Sequence, residues 1–461
     1  MMSNTVTTIN PATEQPVNEY TLMSLDEAQK SVDLANDCYS FWKKTTFTQR
    51  AQKLNRLADL IEENKSKLVS LMTEEMGKVT EQGEQEVSLC AEICRYTAEH
   101  GEKELQDEHR VFEQGHAIIT YQPIGVILGI QPWNFPLYQV IRYSVSNVMA
   151  GNTTVMKHAS NVFGMAKLIE ELYLEAGFPK GCYQSLLIDG ETASELIKNP
   201  YIRGVTFTGS DKVGKQVAKQ AAELSKKTVL ELGSNDAFVV LADADINKAV
   251  SACIQGRIVN NGETCVAAKR FIIVDEIYDQ FREAFVAGFK QLKVGDPSAA
   301  DTDLGPMARK DLRDELHQQV EESVNAGANC TLGGEIPKQQ GFYYPVTILE
   351  DVKPGMPAYD DELFGPVASL IRVHDEAEAM MVANDSRYGL GGGIFSEDTQ
   401  RATELAIKEF DTGMVNINGY SLAQPNLPFG GVKDSGYGRE HGGFGIKEFV
   451  NVKTVMVASA E

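Results

Sequence analysis

No stretch of this chain is long and apolar enough to cross a bilayer. Its longest apolar run, near Ile124–Ile130, falls far short of the roughly 20 residues a spanning helix needs. A basic surplus is also missing: 65 Asp and Glu face 43 Lys and Arg, a net charge of −22. Such a field repels nucleic acid and anionic membrane, which excludes both as partners. It does not exclude a small anionic substrate, which needs only one local arginine. The start, Met1 to Thr8, lacks a basic stretch followed by an apolar one, so no signal peptide is expected. The seven cysteines are odd in number and irregular in spacing, with no paired C-x-x-C, and the seven histidines hold no H-E-x-x-H. Neither a disulfide framework nor a metal site is supported. Cys90 and Cys94, one helical turn apart, read as small core-facing residues. A reducing compartment, the cytoplasm, is expected.

Three familiar fingerprints are absent as well: G-x-G-x-x-G, G-x-x-x-x-G-K-[ST] and G-x-S-x-G. The glycine-rich segment Gly389–Ile394 does not replace them, because no helix signal follows it. What remains is an ordinary globular composition, 43% hydrophobic over 461 residues, too long for one core and so two or more domains.

Ser24-Leu25-Asp26-Glu27 is a capping box, and Leu54, Leu57, Leu60 and Ile61 recur at helical spacing. Val111-Phe112, a turn at Glu113–His116 and Ile118-Ile119 predict a hairpin. Strand and helix then alternate. Gly125–Ile130, Thr153–Met156, Val205–Phe207 and Val229–Leu230 read as strands. Asn161–Ala176, ended by Gly177 and Pro179, and Val213–Leu224 read as helices. This rhythm implies a parallel sheet covered by helices. A second α/β block follows Gly233, with strands at Phe271–Val274 and Val367–Val373, and Phe449–Val457 reads as a terminal strand.

Four features could carry chemistry. Cys265 closes the small polar run Val259-Asn260-Asn261-Gly262-Glu263-Thr264-Cys265, and Glu231 lies upstream in Leu230-Glu231-Leu232-Gly233. A thiol nucleophile and a separate carboxylate base are what covalent oxidation of an aldehyde needs. Pro132-Trp133-Asn134-Phe135-Pro136 brackets an amide between two prolines, which suits a fixed donor for a developing oxyanion. Phe207–Gly214 runs from a strand into a helix, with Gly209 allowing close approach and Ser210 at the N-cap of an anion-binding helix start. Each has a bland reading when taken alone: a core cysteine, an ion-paired carboxylate, a rigid turn, a capped loop.

Together with Glu75-Met76-Gly77-Lys78, Gly151-Asn152-Thr153, Glu362–Val367 and Pro428–Gly431, these runs resemble the aldehyde dehydrogenase superfamily in its own order along nearly the whole chain. They are most similar to its bacterial succinate-semialdehyde dehydrogenases. The resemblance implies a Rossmann-type cofactor domain at 1–105 and 123–232. A catalytic α/β domain follows at 233–446, and a β oligomerisation arm at 106–122 and 447–461. It implies Cys265 as nucleophile, Asn134 with the Cys265 N–H as oxyanion donors, and Glu231 as the base that activates water. Hydride passes from the tetrahedral adduct to a nicotinamide, and a free acid leaves. Members that hand the acyl group to coenzyme A commonly lack the carboxylate at position 231.

For the cofactor, the resemblance implies Trp133, Lys157, Ser160, Gly209, Ser210, Val213, Leu232, Glu362 and Phe364. The family's usual Lys-Pro-Ser-Glu is Lys157-His158-Ala159-Ser160 here. The Glu that repels a 2′-phosphate is therefore Ser160, and NADP is expected beside NAD. Arg142 matches an arginine that binds the substrate carboxylate near the entrance. A second such arginine is Val259 here, and the loop Tyr420–Gln424 is the candidate for replacing it. The expected reaction is oxidation of succinate semialdehyde to succinate. The alternative is an uncharged aliphatic or aromatic aldehyde. A homodimer or homotetramer is implied.

Overall fold

The computed structural model describes residues 5–459. Residues 1–4 of the predicted leaderless start, and residues 460 and 461 of the predicted arm, lie outside that range. The capping box forms as read: Ser24 Oγ accepts from Glu27 N at 3.3 Å and Glu27 Oε2 accepts from Ser24 N at 2.8 Å, opening the helix Leu25–Trp42. Leu54, Leu57, Leu60 and Ile61 form the buried face of the helix Phe47–Glu63.

The fold is mixed α/β with two parallel-stranded sheets. The first has six strands in the order Gly436–Tyr437, Lys227–Glu231, Ile202–Thr208, Val126–Ile130, Thr153–Lys157 and Tyr183–Leu186. Five are parallel. The two-residue strand 436–437 comes from the segment assigned by sequence to the other domain, and it pairs antiparallel with Leu230 and Glu231. Register puts Glu231 beside Thr208, and Lys157 beside Ile130, at one edge of the sheet. That carboxyl edge is where ligands of such sheets bind. The expected helix at 161–176 divides into a short turn, Ser160–Val162, and the helix Phe163–Glu175, which stops before Gly177 at φ +83°.

The second sheet has seven strands, with Ala237–Val240, Arg270–Val274 and Val367–Val373 at its centre. The glycine-rich segment supplies one of them, Gly392–Phe395, next to Ala237–Val240. Its glycines are packed under rings: a Cβ at Gly393 would lie 2.8 Å from Phe238. The hairpin Glu108–Phe112 and Gly115–Pro123 turns at Glu113-Gln114, and the terminal strand Val450–Ala458 adds to it antiparallel along nine residues. No helix among the described residues is long and apolar enough to cross a membrane.

Candidate active site

Cys265 is held by an unusual backbone. Asn260, Asn261 and Gly262 all adopt left-handed conformations, with φ of 55°, 58° and 78°. Asparagine tolerates this region because its short side chain bonds locally. Here Asn260 Nδ2 donates to the Asn134 and Glu263 carbonyls at 2.8 and 3.0 Å. Asn261 Nδ2 donates to the Gly77 and Pro306 carbonyls, and its Oδ1 accepts from Gly305 N at 2.8 Å. At 262 a side chain has no room, since a Cβ would come 2.4 Å from the Gly365 carbonyl carbon. The turn delivers Cys265, half-buried, to the place where two cavities meet.

One cavity, about 410 Å³, runs along the carboxyl edge of the first sheet. Pro132, Trp133, Asn134, Thr208, Gly209, Ser210, Leu232, Gly233, Glu362 and Phe364 line it with Cys265. Trp133 and Phe364 meet edge to face, 5.9 Å between centroids. Ser210 is the N-cap of the helix Asp211–Glu223 but makes no capping bond, so its hydroxyl and the helix start remain available to an anion. Gly209 must be glycine: its φ is +157° and a Cβ would lie 2.8 Å from the Phe207 ring. An anion-ready helix start, an aromatic wall and a carboxylate fit the diphosphate, ring and ribose of a dinucleotide. Lys157, Ser160 and Val213 do not line this groove. Lys157 is at the end of its strand, where burial lowers its pKa, while Ser160 and Val213 are exposed farther along.

The other cavity, about 310 Å³, is lined by apolar Leu89, Phe135, Val259, Val266, Leu422 and Phe429 and by the amides of Gln82, Gln85, Gln139, Gln255 and Gln424. Tyr420, Ser421 and Ala423 complete the loop side, as the sequence suggested for that loop. Gln139 and Cys265 face both cavities.

Arg142 is not near the entrance. It is 2% exposed and lines neither cavity. Its guanidinium packs on the rings of Tyr138 and Phe429, at 5.4 and 5.1 Å, both of which do line the smaller cavity. The cause is its helix, Tyr138–Ala150, every residue of which is buried. Nη2 donates to Thr208 Oγ1 at 2.8 Å, next to Glu231.

Glu231 is 2% exposed, with neither carboxylate oxygen bonded to protein. Burial pushes its pKa up to about 8, against the opposing pull of Arg142. Burial pushes the Cys265 thiol up to about 12; Arg142 and Lys269 favour its thiolate, Glu362 and Glu231 oppose it. Asn134 is buried with Oδ1 unpartnered, and its Nδ2 donates one bond, to the Glu263 carbonyl at 3.0 Å. An amide nitrogen carries two hydrogens, so the second remains for an oxyanion.

Several residues that matter were not read from the sequence. Glu86 pairs with buried Lys78 and accepts from Leu137 N and Tyr138 N, both at 2.9 Å, fixing the helix start behind the Pro132–Pro136 turn. Lys269 binds the Cys265 carbonyl at 2.7 Å. Arg309 lines the larger groove. The only sequence signal for Lys269 is a charge four residues past Cys265 inside an apolar run.

A groove that fits the diphosphate, ring and ribose of a dinucleotide meets a small cavity at one thiol, an arrangement that suits an oxidoreductase. Residues 1–455 match the model of the aldehyde dehydrogenase family. The chain is 44% identical over 453 residues to a probable NADP(+) succinate-semialdehyde dehydrogenase of Synechocystis, covering 98% of this chain and 100% of that one. It is 43% identical over 447 residues to an NAD(P)+ succinate semialdehyde dehydrogenase of Escherichia coli, covering 97% and 96%. The crystal structure of succinic semialdehyde dehydrogenase from Streptococcus pyogenes with NADP+ superimposes with a TM-score of 0.96 at 36% identity, over 98% of this chain and 100% of that one. The chain belongs to the aldehyde dehydrogenase family.

Proposed function

We propose that this enzyme oxidises succinate semialdehyde to succinate, taking NADP and also NAD. The observation that carries the reading is the meeting of the two cavities at Cys265. The names of the Synechocystis, Escherichia coli and Streptococcus relatives support the substrate and the dinucleotide.

The Cys265 thiol releases its proton to solvent, its sulfur bonds to the aldehyde carbon, and the carbonyl electron pair moves to oxygen. Asn134 Nδ2 and the Cys265 N–H stabilise that oxyanion. When bound, the dinucleotide supplies the hydride acceptor. Gly209 and Ser210 would hold its diphosphate, Trp133, Leu232 and Phe364 its ring, and Glu362 its ribose. Lys157, Ser160 and Val213 would stand toward its adenosine end. Glu231 takes a proton from water, whose oxygen replaces the Cys265 sulfur on the acyl carbon, so a free acid leaves and the thiol returns.

Among the described residues no lysine or arginine lines the smaller cavity. The substrate carboxylate is therefore received by glutamine amides and Ser421, with Arg142 adding positive potential from behind Tyr138 and Phe429. That lining, apolar apart from amides, hydroxyls and the lysine-paired Glu86, also favours the second reading, oxidation of neutral aldehydes. Comparing kcat/KM for succinate semialdehyde and propanal, each with NADP and NAD, decides between them. A preference for propanal overturns the first reading.

We also infer a homodimer or homotetramer in a reducing cytoplasm. The terminal strand Val450–Ala458 is an exposed sheet edge carrying Val452, Val455, Met456 and Val457, the kind of edge that pairs with another copy. All seven cysteines are free. The division into cofactor unit, catalytic unit and arm follows the two sheets and the hairpin, with strand 436–437 crossing over.

A further inference from the structure

Lys269 takes no part in the chemistry above, yet its ammonium joins the two halves of the site. It is 2% exposed. Nζ lies 2.7 Å from the Cys265 carbonyl, 2.9 Å from Ser234 Oγ, 3.2 Å from the Thr264 carbonyl and 3.1 Å from Glu362 Oε1. Glu362 Oε1 also accepts from Ser234 N at 3.0 Å, and Ser234 Oγ donates to the Cys265 carbonyl. One buried charge thus ties the nucleophile's own peptide to the carboxylate that faces the dinucleotide groove.

We propose that Lys269 is a positioning residue that couples Glu362 to Cys265, so that engagement of Glu362 by a bound dinucleotide is felt at the sulfur. The proposal rests on the reading of Glu362 as a cofactor contact. A buried ammonium needs a counter-charge and acceptors for its three N–H groups. Here one carboxylate supplies the charge, and backbone carbonyls and a serine oxygen supply the rest. A ribose hydroxyl that donates to Glu362 competes for the oxygens holding Lys269. The ammonium's field is then less offset at the thiol of the residue whose carbonyl it binds, where low polarity strengthens it. The charged groups facing that thiol act in opposite senses: Arg142 and Lys269 favour thiolate, and Glu362 and Glu231 oppose it. The hydroxyls of Tyr138 and Tyr420 also sense it.

The test is the pH dependence of Cys265 alkylation by iodoacetamide, read by peptide mass spectrometry without aldehyde, with and without NADP. In the natural enzyme NADP lowers the alkylation midpoint. Lys269→Met raises the midpoint by about one pH unit, the scale of one lost charge interaction. It also abolishes the NADP response and raises KM for NADP several-fold, roughly the loss of one charge-assisted contact. Lys269→Arg keeps most of the response. Glu362→Gln lowers the midpoint without NADP. A folded Lys269→Met protein with the natural midpoint, NADP response and KM overturns the proposal. Should Lys269→Met fail to fold, an unchanged midpoint in Glu362→Gln overturns it instead. Because the alkylation assay contains no aldehyde, an error in the substrate assignment leaves the midpoint and the NADP response intact.

Discussion

Asn134 and Glu263 are tied in one direction: the Asn134 amide donates to the Glu263 carbonyl at 3.0 Å, two residues before the nucleophile. The proposed oxyanion donor and the nucleophile loop therefore share a frame. Asn260 closes it by donating to the Asn134 carbonyl at 2.8 Å. Replacing Asn134 by Ala removes the free amide hydrogen but leaves Asn260 bonded to the backbone of both partners. The expected result is a kcat lower by about 10²–10³, the usual cost of one oxyanion donor, with Cys265 alkylation nearly unchanged. A matching collapse of alkylation would mean that the amide serves the loop and not the oxyanion.

Glu231 has the clearest pH signature. Its carboxyl is pushed up to about 8 by burial, and a general base works only when ionised. Thioester hydrolysis should therefore rise with pH through about 8 and fall off below it. Glu231→Gln should flatten that limb and leave a single burst of reduced dinucleotide near one per site, because hydride transfer precedes the hydrolysis that Glu231 serves. Rapid-mixing kinetics from pH 6 to 10 check both. Steady turnover at the natural rate in the Gln variant would remove Glu231 from the chemistry.

Glu263, two residues before the nucleophile, is a carboxylate whose surroundings explain how it is tolerated. It is fully buried; Oε1 accepts from Ala308 N at 3.0 Å and Oε2 has no protein partner. Burial holds its pKa well above the usual carboxylate range, against the pull of Arg309 and Lys78, and so favours the neutral acid. The sign follows: a group whose folded pKa is raised is most favourable below its unfolded pKa and loses stability as pH climbs toward the folded value. Glu263→Gln, neutral throughout, should keep the bond and gain in Tm relative to the natural protein as pH rises. Glu263→Ala should lose about 1–3 kcal/mol by stranding the Ala308 N–H. Thermal melts at pH 5 and pH 9 decide; a Tm difference between Gln and Glu that does not change with pH sinks the reading.

The sequence carried the strand and helix rhythm, both caps and the hairpin, because those signals are local: a serine three residues before a glutamate, or glycine after a helical stripe. It carried the positions that line the groove, Gly209 and Ser210 through a strand-to-helix turn with its own backbone logic, and Trp133, Glu362 and Phe364 only through the family resemblance. It did not carry burial. The resemblance reads Arg142 as a carboxylate-binding arginine near the entrance, and only packing of the whole helix Tyr138–Ala150 puts it behind two rings. Lys269 and Glu86 act through partners 93 and 51 residues away, Glu362 and Leu137, and no window of sequence joins such pairs.

The corrected place of Arg142 changes what its loss should do. A fork at the entrance would affect only substrates with a carboxylate. A buried guanidinium that favours both the Cys265 thiolate and the Glu231 carboxylate should affect every aldehyde. Arg142→Met is expected to lower kcat/KM for propanal about tenfold, the value of roughly 1.4 kcal/mol. A further factor of about ten is expected on succinate semialdehyde, whose charge loses that positive potential. Loss confined to succinate semialdehyde would restore the entrance role.

Ser160 is the simplest switch of dinucleotide choice. It is exposed and opens the short turn after the strand that ends at Lys157, beyond the groove's lining, where the adenosine end would extend. Glutamate at this point would accept from a 2′-hydroxyl and repel a 2′-phosphate. Like charges about 4 Å apart at a protein surface repel by roughly 1–4 kcal/mol between the water and protein limits. Ser160→Glu should therefore lower the ratio of kcat/KM for NADP over NAD by about 10–10³, mostly through KM for NADP, with kcat on saturating NAD preserved. An unchanged ratio would mean that the 2′-phosphate lies elsewhere, and would direct attention to Lys157 and Arg309, which are close enough to repel each other electrostatically and are the two cations best placed to hold it.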